Sequence, residues 1–254
     1  VKLTQEQYKT FMNILQHFCK HVVDLYLTDG TIKQITQDRS TYISCNMSSL
    51  FDTVDVPEIV ITNAGKRLSM MSALEFSSEV HVSEMDNWFI FDDLVSKLKF
   101  RKPFDDIRLA VEAQADIVAV HDNDTLVAEI ELDEVLVKKL YKASDNAAMV
   151  YIMLHGPMNK GVIYVKTENK NTIGVMYKFD LANGENLSDT GVVNFKMPWD
   201  IYTSSDGVGK LQIFKPADRD DVFWAKTFST VDTCPVELTY ACPFLTTQDE
   251  GIEL

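Results

Sequence analysis

The chain has 254 residues, 46% of them apolar, and carries 24 Lys and Arg against 38 Asp and Glu, for a net charge of −14. That length is enough for two domains with cores of their own. The acidity excludes a protein that coats nucleic acid by simple attraction, because such binding neutralises phosphates with a basic surface.

In chain order, Thr4-Gln5-Glu6-Gln7 fits a capping box and predicts a helix from Thr4 to Cys19. Tyr8, Phe11, Met12, Ile14, Leu15, Phe18 and Cys19 fall on one side of it, with Lys9, Asn13, Gln16, His17 and Lys20 opposite. Strands follow at Val23 to Leu27, Thr31 to Thr36 and Thr41 to Asn46, the first two joined by a turn at Asp29-Gly30. Val56 to Ile61 reads as another strand and leads into a short helix, Thr62 to Leu74, burying Leu68, Met71 and Leu74 and carrying Lys66 and Arg67. Glu79 to Ser83 and Trp88 to Phe91 form a hairpin around Met85-Asp86-Asn87. The stretch from Arg101 to Asp124 has no clear period and reads as a connector.

The second half repeats that order. Val127 to Glu131 is strand-like, and Leu132 to Ala147 is a helix with Leu132, Val135, Leu136, Leu140 and Ala143 inward. Glu134, Lys138 and Lys142 lie opposite, with Lys139 at the border. Strands at Met149 to Leu154, Gly161 to Lys166, Gly174 to Phe179 and Val192 to Lys196 precede a short helix around Pro198 to Tyr202. A hairpin, Lys210 to Phe214 with Val222 to Phe228, a last strand at Val236 to Ala241 and an acidic tail complete the chain. The two lysine-bearing helices start at Thr4 and Leu132, close to half the chain length apart.

The order of strand, lysine-faced helix, three strands, short helix and hairpin, written twice around a connector, resembles a DNA polymerase sliding clamp. It is carried by Leu3 to Phe18, Val56 to Leu74, Glu129 to Lys142 and Val193 to Phe214. The pattern is similar to clamps of tailed bacteriophages and, more distantly, to proliferating cell nuclear antigen. The resemblance implies an α+β DNA-clamp fold of two similar domains, each an antiparallel sheet backed by two helices. The expected divisions are 1–102, a connector 103–124, and 125–254. It further implies a closed homotrimer enclosing double-stranded DNA, without catalysis or cofactor, in the cytoplasm of an infected bacterial host. A DNA polymerase and a clamp loader would bind through short apolar peptides.

On that reading Lys9, Lys20, Lys66, Arg67, Lys138, Lys139 and Lys142 face the DNA, whose phosphates offer positioning without base information. Ile117 and Val120, with Phe244 and Leu245, are candidates for a partner pocket. The bland alternative treats the lysines as solvated helix faces and the tail as a solubilising terminus. No metal is expected: His17 and His21 share a helix side but lack a third ligand. Asp92-Asp93, Asp105-Asp106, Asp122 with Asp124, and Asp218 to Asp221 read as solvated turns rather than a magnesium site. Gly207-Val208-Gly209-Lys210 lacks the spacing of a phosphate loop. Four cysteines without metal or redox spacing predict reduced thiols. No signal pattern or membrane-length apolar run is seen. The competing class is a viral structural or assembly protein built from duplicated β-rich domains. It has no need of matching lysine faces.

Overall fold

Residues 1–51, 58–102, 121–144, 149–166, 173–203 and 209–246 are described by a computed structural model of the chain. The chain forms two compact units: Val1–Ile117 with Thr230–Val236, and Val118–Ser229 with Glu237–Leu254.

In the first unit, β1 (Lys2–Thr4) feeds α1 (Gln5–Phe18), whose start is fixed by the expected box. The Gln7 amide donates to Thr4 Oγ1 at 3.3 Å, and the Thr4 amide donates to Gln7 Oε1 at 2.8 Å. Such reciprocal capping satisfies two amides that the first helical turn leaves without partners. The buried face is Tyr8, Phe11, Met12, Ile14, Leu15 and Phe18, as the 3.6-residue period predicts. Next come β2 (Leu25–Thr28), β3 (Thr31–Ile35), β4 (Thr41–Asn46) and β5 (Ile59–Ile61). The β2–β3 turn has positive φ at both Asp29 and Gly30, the geometry that suits a two-residue hairpin. A Cβ on Gly30 would sit 2.9 Å from Ser48 Cα, so glycine is required there for space as well as for φ. Then follow α2 (Ala64–Met71), a 3-10 turn over Ser72–Phe76, β6 (Glu79–Met85), β7 (Trp88–Asp92) and β8 (Lys97–Arg101). Tyr8 Oη donates to the Met71 carbonyl at 3.0 Å and ties α1 to α2; burial pushes its own ionisation upward.

The second unit contains β9 (Thr125–Leu132), α3 (Glu134–Ala143), β10 (Met149–His155), β11 (Lys160–Lys166), β12 (Ile173–Asp180) and β13 (Thr190–Lys196). After α4 (Trp199–Thr203) come β14 (Gly209–Lys215), β15 (Val222–Val231), β16 (Cys234–Pro243) and β17 (Leu245–Thr246).

The duplication is explicit in the strand order. The first repeat orders its strands β1-β6-β7-β8 and β5-β2-β3-β4; the second orders them β9-β14-β15-β16 and β13-β10-β11-β12. Adding eight to each first-repeat strand number gives its counterpart, with β17 an extra strand beside β13. Each repeat therefore divides its strands between two sheets, where the sequence suggested one sheet per domain. β4 also neighbours β16, whose residues up to Val236 group with the first unit. No local residue pattern marks β1 or β8, though the repeated order implied a strand ahead of α1: β1 has three residues and β8 buries only Phe100.

The start of α3 departs from expectation by one position. Its N-cap is Asp133, whose carboxylate accepts the Leu136 amide at 2.6 Å, while Leu132 ends β9. The buried face is consequently Leu136, Val137 and Leu140, and Val135, expected inward, is exposed. Cys45, Cys234 and Cys242 are buried free thiols, and desolvation raises all three, Cys242 to about 12. No helix among the described residues is long and apolar enough to cross a membrane.

Candidate nucleic-acid interface

Aligning the two N-caps, Thr4 with Asp133, places the lysine-bearing helices in register. Lys9 and Lys138 then both stand five residues past the cap, on the solvent side of their helices, and both are exposed. Asn13 and Lys142 both stand nine past it, one turn further along the same face. Lys139 is exposed on the flank, and Lys20 is exposed just beyond α1. Lys138 pairs with Glu134 at i,i+4 in an exposed salt bridge, so part of its charge is offset locally. Lys66 is exposed in the first turn of α2. Arg67 is half-buried, its guanidinium 5.4 Å from the centre of the Phe100 ring, which holds α2 against β8. Four of the candidate cations thus lie in the first unit and three in the second, each set on its own helices.

The candidates for partner binding separate in the same way. Ile117 and Val120 lie outside the described residues. Phe244 is half-buried, its ring 4.5 Å from that of Phe223 and seated over Gly191, where a Cβ would clash at 2.3 Å. It anchors the chain after β16 rather than lining an open pocket. Leu245 is exposed, and it opposes Val192 in the β13–β17 pairing. Through Val192↔Met153 and Met153↔Val162 it ends a cross-strand apolar row, since directly paired residues share a sheet face; Val192, Met153 and Val162 are buried, so the row reaches the surface at Leu245. Beside that row Tyr151 and Tyr164 stack at 5.4 Å, with the Lys166 ammonium 5.1 and 5.4 Å from their centres. The row needs the pairing register of four strands to be seen, and no local sequence signal carries it.

The acidic clusters are structural where described. Asp92 accepts the Leu94 amide at 2.8 Å, and Asp93 accepts the Val95 amide at 3.0 Å and the Ser96 amide at 2.5 Å. The Ser77 hydroxyl and these amides hold the Asp93 carboxyl below the usual range. Asp124 accepts the His121 amide at 3.0 Å, and Asp221 takes Arg219 in a two-pronged pair. Asp105 and Asp106 lie outside the described residues, as do Gly207 and the residues from 247 onward. Among the described residues no group of three His, Cys, Asp or Glu is placed to hold a metal.

No family model matches the chain, and no curated protein sequence matches it. Its fold does match solved structures. PCNA from A. fulgidus, solved with the C-terminal region of FEN-1, aligns with 98% of this chain and 99% of that one, with a TM-score of 0.60 and 13% identity. The Helicobacter pylori beta clamp, bound to a DNA ligase peptide, aligns over 99% of this chain and 68% of its own, with a TM-score of 0.64 and 10% identity. The DNA polymerase III beta chain of Streptococcus pneumoniae gives a TM-score of 0.58 over 98% of this chain and 65% of its own, at 12% identity. The chain therefore has the DNA-clamp fold, an α+β architecture of antiparallel sheets and helices.

Proposed function

We propose that this chain is a non-catalytic sliding clamp: a ring of three copies that encloses double-stranded DNA and tethers a replicative polymerase to it. The observation that carries the reading is the internal repeat. β4 and β16 are neighbours, while their counterparts β12 and β8 each have one strand neighbour among the described residues. Two complementary open edges on one chain favour head-to-tail pairing between copies, which closes into a ring when the rotation permits. β12 carries Ile173, Val175 and Tyr177 exposed, an apolar edge of the kind that pairs with another chain, whereas β8 exposes Lys97, Lys99 and Arg101.

Within such a ring, Lys9 and Lys138 at matching positions would supply a repeating positive lining, joined by Lys20, Lys66, Lys139 and Lys142. Enclosure retains DNA without a uniformly basic surface, and that reconciles the function with a net charge of −14. Phosphate contacts of this kind carry no sequence information, so the ring can slide. The exposed end of that row, at Leu245, is a candidate seat for short apolar peptides of the polymerase and the clamp loader; Ile117 and Val120, expected to share in partner binding, lie outside the described residues. We infer further, from the likeness of the sequence pattern to bacteriophage clamps, that this work belongs to viral replication in the cytoplasm of an infected bacterium.

Native mass measurement with low-resolution imaging tests the assembly. Three chains of 28.8 kDa give a particle of about 86 kDa with a central hole. A strict monomer or an open filament at micromolar concentration would refute it.

A further inference from the structure

The turn between β7 and β8 is built to hold apolar side chains in water. Its four residues, Asp93 to Ser96, are locked by the Asp92 and Asp93 carboxylates on three amides, by the Asp93 amide on the Ser96 carbonyl at 3.1 Å, and by the Ser77 hydroxyl. Leu94 adopts φ +73°, which costs energy for a side chain of its kind. At the tip of this rigid turn Leu94 is 84% exposed and Val95 94%. The turn thus holds two apolar side chains exposed on a fixed support.

The repeat says what that partner is. The counterpart turn, Asp232-Thr233 between β15 and β16, is used within the first unit: Asn13 on α1 donates to the Asp232 carboxylate. The position equivalent to Asn13 is Lys142 on α3, nine residues past the cap in each helix. One residue earlier, Met12 on α1 is 1% exposed, whereas its equivalent on α3, Tyr141, is 38% exposed, with its ring against Trp199 at 5.7 Å. α3 also packs beside β12, the open edge that pairs with a neighbour's β8 in the proposed ring. A neighbour bound along β12 carries its β7–β8 turn with it.

We infer that the 93–96 turn of one copy seats on α3 of the next, with Leu94 and Val95 covering Tyr141 and the Asp93 carboxylate facing Lys142, Asp92 being already paired with Lys97 at 2.6 Å. The inference rests on the ring reading above and deepens it. The first unit meets its turn with a neutral amide, Asn13, whereas the proposed joint between copies sets a cation against acid. That gives Lys142 a part in subunit pairing in addition to its place in the proposed DNA lining. The longer turn, four residues against two, reaches further onto the helix and brings apolar packing that Asp232-Thr233 does not.

The test uses the full chain. Two variants, Leu94→Cys and Tyr141→Cys, are prepared separately, mixed, allowed to exchange subunits and mildly oxidised. A two-chain band on a non-reducing gel is expected in the mixture, well above either variant alone or the parent, whose Cys19 sets the background. Val95→Cys replaces Leu94→Cys if the latter does not assemble. In parallel, Lys142→Glu should raise the concentration at which the particle half-dissociates by at least about tenfold, the equivalent of 1.4 kcal/mol, while Lys138→Glu one turn away should not. A particle of three-chain mass that gives no mixed cross-link, and that Lys142→Glu leaves intact, overturns the docking and spares the ring. A monomeric parent overturns both.

Discussion

Replacing Lys9 and Lys138 together by alanine isolates the DNA-facing role of the repeated helix position. Lys9 makes no ion pair among the described residues, and Lys138 has only its exposed partner Glu134. Losing that pair costs about 0.3–0.5 kcal/mol, and alanine returns a few tenths in helix propensity. Net stability should therefore stay within about 0.5 kcal/mol of the parent, a melting shift of about 1–2 °C for a chain of this size. DNA binding should respond much more. Three copies lose six charges, and every phosphate left unneutralised lowers the log–log salt slope by about 0.9, so the slope falls by up to about 5. Anisotropy of a labelled duplex, titrated with protein between about 50 and about 200 mM salt, reads this directly. An unchanged slope, with melting unchanged, would mean that these lysines are solvated decoration. A large loss of stability would mean that the helix faces have been misassigned.

Three further outcomes follow from the packing. Leu140→Ala on the buried face of α3 should cost about 2–5 kcal/mol in denaturant unfolding, and Val135→Ala on the same helix less than about 0.5 kcal/mol; equal costs would restore the inward placement of Val135. Thr227 hydrogen-bonds Tyr202 in a buried hydroxyl cluster that includes Tyr240, 3.5 Å from Tyr202, so Thr227→Val should cost about 1–3 kcal/mol. Ser229 Oγ is buried with no partner among the described residues, so Ser229→Ala should be neutral or stabilising, and a comparable loss there would contradict the assignment. Because the folded Asp93 carboxyl lies below its unfolded value, its support of the turn is present above a pH of about 3.9 and is lost as pH falls through the folded value. The Val95 and Ser96 amide shifts should titrate with a midpoint below about 3.9, and a midpoint at or above it would show the Ser77 and amide bonds to be ineffective.

What the sequence made legible was local and periodic. The box at Thr4 to Gln7, the face of α1 and the glycine turn after β2 are written within a few residues of where they act. The face of α3 was misread because Leu132 belongs to β9 and Asp133 caps the helix, a one-residue change that moves Val135 outward and Val137 inward. β8, reading Lys-Leu-Lys-Phe-Arg, has too few buried side chains to stand out, and β1 is too short to show any period. The division of each repeat into two sheets was invisible because it depends on pairings such as β1 with β6, far apart in the chain. For the same reason the matching lysines could be found and the apolar row ending at Leu245 could not. The Asn13–Asp232 hydrogen bond joins residues 219 apart, and nothing near either one announces it.

Enclosure of DNA is the central claim, and one retention measurement tests it. The chain is diluted until it dissociates, then concentrated in the presence of a covalently closed circular duplex, so that rings assemble around the DNA without a loader. The mixture is passed over a sizing column at a salt concentration that abolishes ordinary phosphate binding. Enclosure predicts that the protein elutes with the intact circle and is lost when the circle is cut once. Protein that never stays with the circle, or that stays equally well after the cut, would contradict it.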